Sequence, residues 1–404
     1  MSAPVVIIGG SHAAAQAIMS LRAGGWEHGI TLVEAETELP YQRPPLSKKY
    51  LLGEVSVEQM RLKPESFYDD SGVDLVMGQQ AKRIDRTQRQ VELGSGEQIS
   101  YEKLILATGT RPRTLPLPGS DEARLAYLRT LSDARRIGEG LLPDTHLLII
   151  GAGYIGLELA ASAVKRGSKV TVLEAQDRVL ARVTSPVVSH FYQRLHGDAG
   201  VDIRLDTALT GFAARDDKID VLVSGGEAIT GNQVVVGIGV IPNTELAEDA
   251  GLDCENGIVV NEFTQTNDPD IYAIGDCSNY PSARLGRRLR LESVPNAVGQ
   301  AKTAAAAICD NPAPYDDVPW FWSDQYDIKL QTVGLWDAHD ALAVRGNPDE
   351  NKFAVFYLRE GRLIALDAIN SPAEFMVAKK LIAAEASPDA ALLEDVQVPL
   401  KSLL

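Results

Sequence analysis

Cysteine is scarce in this chain: three residues in 404, at Cys254, Cys277 and Cys309. They are too few and too dispersed for a disulfide framework. None forms a C-x-x-C pair, which leaves neither a thioredoxin-like centre nor a zinc knuckle. The six histidines include no H-E-x-x-H pattern, and no metal site is expected. Positive charge is in deficit as well, with 39 Lys and Arg against 55 Asp and Glu and a net charge of −16. A field of that sign repels nucleic acid and anionic membrane, but leaves room for an acidic protein docking on a local basic patch. No apolar run has the length needed to cross a bilayer. The apolar first residues pass straight into a glycine turn with no basic segment before them. They read as a strand and not a signal peptide, and a cytoplasmic location is expected.

What the chain does have is a core and a doubled motif. Hydrophobic residues make up 45% and charged residues 23%, as in a globular protein, and the length predicts two or three domains. Val5-Val6-Ile7-Ile8 reads as a buried parallel strand and Gly9-Gly10-Ser11-His12-Ala13-Ala14 as a turn, with Glu34 closing the next strand, Ile30-Thr31-Leu32-Val33. The second copy is Leu147-Leu148-Ile149-Ile150, then Gly151-Ala152-Gly153-Tyr154-Ile155-Gly156, with Glu174 ending Val170-Thr171-Val172-Leu173. The glycines of such a loop give a tight turn, close approach to a pyrophosphate, and close helix–strand packing. The diphosphate rests on a helix N-terminus, where free amides and the macrodipole favour anions. Two copies suggest two dinucleotides held together, as hydride transfer between them requires.

The order of elements repeats too. After the first fingerprint comes the stiff run Tyr41-Gln42-Arg43-Pro44-Pro45-Leu46-Ser47-Lys48, read as a loop leading into a helix. Short strands at 81–84, 90–93 and 98–101 suggest a β-meander, followed by the buried strand Leu104-Ile105-Leu106 and the turn Ala107-Thr108-Gly109. The second half gives a helix, a strand, a meander over 209–230, and Val234-Val235-Val236-Gly237-Ile238-Gly239. The strand Ile271-Tyr272-Ala273-Ile274 leads into Gly275-Asp276-Cys277, and an alanine-rich helix is expected over about 296–308, with Ser293 and Pro295 as start signals. After the linker Asn311-Pro312-Ala313-Pro314, strands at 330–333, 353–357 and 363–368 and a helix over about 373–386 suggest a separate α+β domain.

With both fingerprints, Arg43-Pro44-Pro45-Leu46-Ser47-Lys48, Ala107-Thr108-Gly109, Gly275-Asp276 and Pro319-Trp320-Phe321-Trp322 in order, the chain resembles a known family. It is similar to the FAD-dependent, NADH-linked ferredoxin reductases of bacterial haem monooxygenase systems, the putidaredoxin reductase type. The resemblance implies an α/β fold of two Rossmann-like nucleotide-binding domains in a glutathione-reductase-like FAD/NAD architecture, plus a C-terminal α+β domain. The FAD domain would be 1–110 and 240–318, the NAD domain 111–239, and the C-terminal domain 319–404. Ser11 and Ala14 depart from the family's glycines. A serine fits there if its φ is negative, and alanine is a tolerated third position.

The resemblance also assigns roles. Gly9, Ser11, His12, Ala13, Ala14, Glu34, Ala35, Arg43, Pro44, Lys48, Ala81, Ala107, Thr108, Gly109, Arg129, Gly275, Asp276, Ser293, Val294 and Trp322 match the FAD site. Gly151, Gly153, Tyr154, Ile155, Gly156, Glu158, Glu174 and Gly239 match the NADH site. Glu34 and Glu174 would each hold a ribose diol. A carboxylate at Glu174 repels a 2′-phosphate, favouring NADH, while Arg178 and Arg182 nearby leave NADPH open. Asp276 would accept from the ribityl chain, and Val294 would offer an amide to the flavin N1/O2 edge. Lys48 would lie by the flavin N5/O4 edge paired with Glu158, Glu158 would also orient the nicotinamide carboxamide, and Tyr154 would cover the flavin until the nicotinamide displaces it. These three are the expected catalytic residues. A 2Fe-2S ferredoxin, an acidic redoxin, would dock near Arg284, Arg287, Arg288, Lys329 and Trp322, with Arg290 in the same basic run. The alternatives are a rubredoxin or dioxygenase-system reductase, a disulfide or oxygen reductase using Cys277, and a nucleotide-sensing interaction module.

Overall fold

The computed structural model describes residues 3–121 and 125–404. The expected ranges 1–110 and 111–239 include residues 1, 2 and 122–124, which lie outside the described residues. The chain forms two compact units. The first takes residues up to Arg43, Ser56–Arg111 and Val240–Asp317; the second takes Pro44–Val55, Pro112–Gly239 and Val318–Leu404.

In the first unit Val5–Ile8 is the middle of a five-stranded sheet. Ile30–Glu34 and then Val73–Met77 lie on one side of it, Lys103–Leu106 and then Ile271–Ala273 on the other. Every pairing is parallel. Val5, Val6 and Ile7 are fully buried, which is why the sequence shows an unbroken apolar run and no alternation. The helices His12–Ala23 and Val294–Ile308 share one core. Alanines 13, 14, 17, 297, 301, 304 and 305 line it, and small side chains let two helix backbones approach closely. The expected meander is the antiparallel sheet Ala81–Asp85, Gln90–Leu93 and Gln98–Ser100.

The second unit repeats the plan. His146–Ile150 is central, flanked by Lys169–Leu173 and Asp202–Arg204 on one side and by Gln233–Val236 and Leu125–Ala126 on the other, all parallel. Its meander is Leu209–Arg215, Lys218–Val223 and Ala228–Gly231. The same unit holds a five-stranded antiparallel sheet ordered Trp320–Gln325, Ile328–Gly334, Arg362–Ile369, Lys352–Arg359, Ala341–Asn347. The helix Pro372–Ala383 packs on it through Phe375, Val377, Ala378, Leu381 and Ile382.

Several elements differ from the sequence reading. The helix expected from about 296 starts at Val294, because Ser293 caps it and Pro295 sits in its first turn. The last long helix spans Pro372–Ala383, not 373–386. Trp320–Gln325 and Ala341–Asn347 are strands, although their tryptophans and alanines give no clear period of two. The run after Arg43 makes a 3-10 turn, Pro44–Ser47, and no helix directly. This turn groups with the second unit and not with the rest of 1–110. The reason is polar: Ser162 Oγ donates to the Ser47 carbonyl at 2.7 Å and Arg166 to the Leu51 carbonyl at 2.8 Å.

Candidate functional site

Both glycine loops are built to one plan. Gly9 has φ +106°, and a Cβ there would lie 2.3 Å from the Ala107 carbonyl oxygen. Gly151 has φ +99°, and its Cβ would lie 2.5 Å from the Gly237 carbonyl oxygen. Only glycine satisfies both conditions. A glutamate at the end of the next strand then clamps each loop. Glu34 is buried and accepts from the Gly10 amide and, at 2.9 Å, from the Glu36 amide. Glu174 accepts from the Ala152 amide at 2.7 Å and the Gln176 amide at 3.0 Å.

The helices that follow, His12–Ala23 and Tyr154–Lys165, have no side-chain cap and no acidic residue in their first turns. With no side chain capping it, the positive end of each helix dipole faces its loop, which favours an anion. Ser11 is the N-cap of the first helix at φ −133°, so its side chain causes no strain where the family has glycine. Gly153, its counterpart, would meet nothing within 4 Å if given a Cβ. That open space is what a pyrophosphate against the backbone requires. Gly156 answers to packing instead, since a Cβ would fall 2.2 Å from the Gly151 oxygen. Ala14 stands at the equivalent place and is fully buried. The residues fit two dinucleotides.

The rest of the first unit's set lies around the C-terminal ends of its strands. Asn243 donates to the Thr108 carbonyl and Thr108 Oγ1 to the Asn243 carbonyl, both at 2.8 Å. The Asn243 amide also bonds the Gly109 carbonyl at 3.0 Å. Gly275, at φ +78°, turns the chain into Asp276, whose carboxylate lies 3.4 Å from Thr110 Oγ1. Ser293 Oγ accepts from the Asn296 amide at 3.3 Å. Arg43 pairs with Glu36 at 2.8 Å and lies over the Tyr41 ring. Gln300 was missed from sequence: it accepts from the Gly275 amide and Ser278 Oγ, both at 2.7 Å, and its buried Nε2 has no partner among the described residues. An orphaned donor beside Gly275-Asp276 is a second sign that a polar group belongs there. Nothing local in an alanine-rich helix marks that glutamine.

The second unit contains the expected Lys48–Glu158 ion pair, at 2.7 Å. Glu158 lies in the second turn of the helix that follows Gly153 and is buried. Ser47 donates to the same carboxylate oxygen at 2.5 Å, and Ser323 donates to the other at 2.7 Å. A buried ion pair costs desolvation unless its remaining lone pairs are satisfied, and here they are. Neither serine was predicted from sequence, since each depends on the tertiary approach of a distant segment. Tyr154 stacks on Phe321 with centroids 4.8 Å apart. Trp322 is half-buried beside Trp320.

Of the predicted FAD contacts, Pro44, Lys48, Arg129 and Trp322 belong to the second unit and the others, including Ala35 and Ala81, to the first. The basic run is not a uniformly solvated face. Arg288 donates to the Val260 carbonyl at 2.6 Å and Asn279 Oδ1 at 3.0 Å, Arg290 to the Asp276 carbonyl at 3.2 Å, and Arg284 pairs with Asp316 at 3.4 Å. Arg287 is exposed, and Lys329 lies 3.6 Å from Asp324 in the other unit. All three cysteines are free thiols. Cys277 is fully buried, and burial pushes its thiol up, away from the reactive thiolate.

Residues 3–301 match the pyridine nucleotide-disulphide oxidoreductase family and residues 320–404 the reductase C-terminal family. The chain is 44% identical to the putidaredoxin reductase of Pseudomonas putida, over 99% of this chain and 96% of that protein. It is 39% identical to a rubredoxin-NAD(+) reductase of the same species, over 91% of this chain and 96% of that one. In the crystal structure of the covalent putidaredoxin reductase–putidaredoxin complex, a chain 44% identical matches it with a TM-score of 0.96, covering 99% of this chain and 98% of that one. No helix of the described residues is long and apolar enough to cross a membrane. Two glycine loops, each clamped by its own glutamate, and matches over nearly the whole length place this chain in the pyridine nucleotide-disulphide oxidoreductase family, among the members with a reductase C-terminal domain.

Proposed function

We propose that this chain is an FAD-dependent NADH:ferredoxin oxidoreductase. The observation that carries it is the doubled loop: each has an uncapped helix end for a diphosphate and a buried or half-buried glutamate for a ribose. Residues 1–110 with 240–318 hold FAD, 111–239 hold NADH, and 319–404 form the C-terminal domain. FAD held there would supply hydride acceptance from NADH and release of single electrons to an iron–sulfur partner. The protein positions rather than performs this chemistry. Glu34 and Asp276 hold the two ends of the FAD chain, and Glu174 holds the adenosine ribose of NADH. Lys48, held by its ion pair with Glu158, would supply a cation beside the flavin. Glu158 fixes that lysine and would orient the nicotinamide carboxamide, and Tyr154 would cover the flavin.

The partner is a 2Fe-2S ferredoxin, an acidic redoxin that in turn feeds a monooxygenase. Support comes from the 44% identical reductase solved covalently joined to putidaredoxin. Docking falls near Arg284, Arg287, Arg288, Lys329 and Trp322, where Arg287 and Arg288 are both exposed. A rubredoxin as partner is the second reading, favoured by the 39% identical relative.

Anaerobic titration with NADH, followed by candidate iron–sulfur proteins, tests the assignment. Bleaching of the flavin and its reoxidation by a ferredoxin are expected. Reoxidation by small disulfides but not by any ferredoxin or rubredoxin would overturn it. A long-lived reduced complex that passes electrons to neither would instead indicate a sensing module.

A further inference from the structure

Glu158 ends a row of buried polar side chains that its ion pair with Lys48 does not require. Its Oε1 accepts from Ser323 Oγ at 2.7 Å, and Ser323 Oγ accepts from Gln325 Nε2 at 3.2 Å. Gln325 Oε1 lies 2.8 Å from His196 Nε2, and His196 Nδ1 lies 3.1 Å from the Tyr326 hydroxyl. Ser323 and His196 are fully buried and Gln325 is 1% exposed. Such groups are costly to bury without a purpose that keeps them satisfied.

The direction of every link follows from the first. A carboxylate in an ion pair only accepts, so Ser323 gives it its single proton. Ser323 must then accept from the Gln325 amide nitrogen, which turns the Gln325 carbonyl to His196. Burial holds His196 down, to about 4, so the ring is neutral with one donor and one acceptor. Nε2–H gives to Gln325, and Nδ1 receives the Tyr326 hydroxyl.

A separate observation concerns Tyr326. It sits in the two-residue turn joining Trp320–Gln325 to Ile328–Gly334, at φ +56°. That conformation favours glycine and asparagine, and a bulky residue there signals a constraint. The hydroxyl's bond to His196 supplies one.

We propose that Tyr326, His196, Gln325 and Ser323 form a one-way hydrogen-bond chain whose task is to orient the Glu158 carboxylate, making them positioning residues for hydride transfer. The proposal rests on the role given to Glu158. His196 lies on the helix Pro186–Asp198 and the other three on one hairpin, so the C-terminal sheet sets the geometry of a residue on a nucleotide-binding helix.

Nitrogen-15 spectra of histidine-labelled holoenzyme test the chain without turnover. The ring that shifts in Tyr326→Phe is His196, expected as the Nε2–H tautomer. An Nδ1–H tautomer, or an imidazolium at neutral pH, overturns the proposal. In kinetics, Ser323→Ala is expected to raise KM for NADH about tenfold, as for loss of one hydrogen bond to a charged group, with a smaller change in kcat. Ser323→Thr, which keeps the hydroxyl, restores it. In a Glu158→Gln background Ser323→Ala adds nothing. An impaired Glu158→Gln beside a wild-type Ser323→Ala overturns the chain alone. Wild-type kinetics in Glu158→Gln overturn the role of Glu158 and the chain's purpose together.

Discussion

Gly156 and Glu174 show how differently single residues in one loop are constrained. Gly156 is fixed by contact between helix and strand, so it answers to stability. Gly156→Ala is expected to cost about 1–3 kcal/mol by overpacking, read as a lower melting temperature of the flavin-free protein. An unchanged melting curve would show that the helix can shift away from Gly151. Glu174 holds the loop through the Ala152 amide and its own turn through the Gln176 amide, and faces the cofactor in the proposed reading. Glu174→Ala is expected to narrow the preference for NADH over NADPH about tenfold, through lost ribose binding and lost repulsion of a 2′-phosphate. Equal selectivity before and after, in paired kcat/KM measurements, would remove that role. The glycines and both glutamates were legible in the sequence because the glycine loop is local chemistry at fixed spacing. Ser47, Ser323 and Gln300 were not, because a serine or glutamine carries no mark until a distant partner meets it.

At the scale of elements, the segment before the helix Pro186–Asp198 is bonded to the C-terminal sheet through a second buried cluster. Asp367 accepts from Thr184 Oγ1 and, at 2.5 Å, from the Tyr357 hydroxyl, which also receives the Ser185 amide at 3.2 Å. Burial raises the Asp367 carboxyl from 3.8 to about 6, against the two hydroxyl bonds that lower it. Below its unfolded value the group is protonated in both states and costs nothing. As pH rises toward 6 the unfolded chain ionises first, so native stability is lost over that window and levels off above it. Asp367→Asn should remove this fall. Between pH 4 and 7 the wild type is expected to lose up to about 3 kcal/mol relative to the variant. Parallel pH dependence of the two in denaturant melts would place the titration elsewhere. The parallel strands and meanders were readable from apolar runs and turn residues, whereas Trp320–Gln325 and Ala341–Asn347 were not. Their pairing partners, not their own pattern, make them strands.

For the whole molecule, binding of a dinucleotide to the native state alone must stabilise it by mass action. With free FAD at 100 times its dissociation constant the gain is about 3 kcal/mol. Stripping the flavin is therefore expected to lower the melting temperature, and adding FAD to restore both it and the yellow colour. A chain that stays colourless and unshifted at saturating FAD would contradict the site. The net charge of −16 sets a further condition, since an acidic partner is repelled overall and depends on a local basic patch. Arg288 and Arg290 are largely committed to internal carbonyls, so that patch is smaller than the run of arginines suggests.

The family resemblance supplied the pairing of Lys48 with Glu158, whereas the sequence alone determined the doubled nucleotide-binding plan and the Ser293 start of the helix Val294–Ile308. These last two rest on short-range spacing or on apolar periodicity, which backbone geometry converts directly into structure. Tertiary structure alone decided that Pro44–Val55 packs with the second unit, against the helix Tyr154–Lys165. It alone showed that Ser47 and Ser323 complete the Glu158 carboxylate, and that a histidine with no motif around it stands within a row of hydrogen-bonded side chains leading to Glu158. Those features join residues far apart in the chain, and only long-range packing, which no local pattern encodes, brings their dipoles into line.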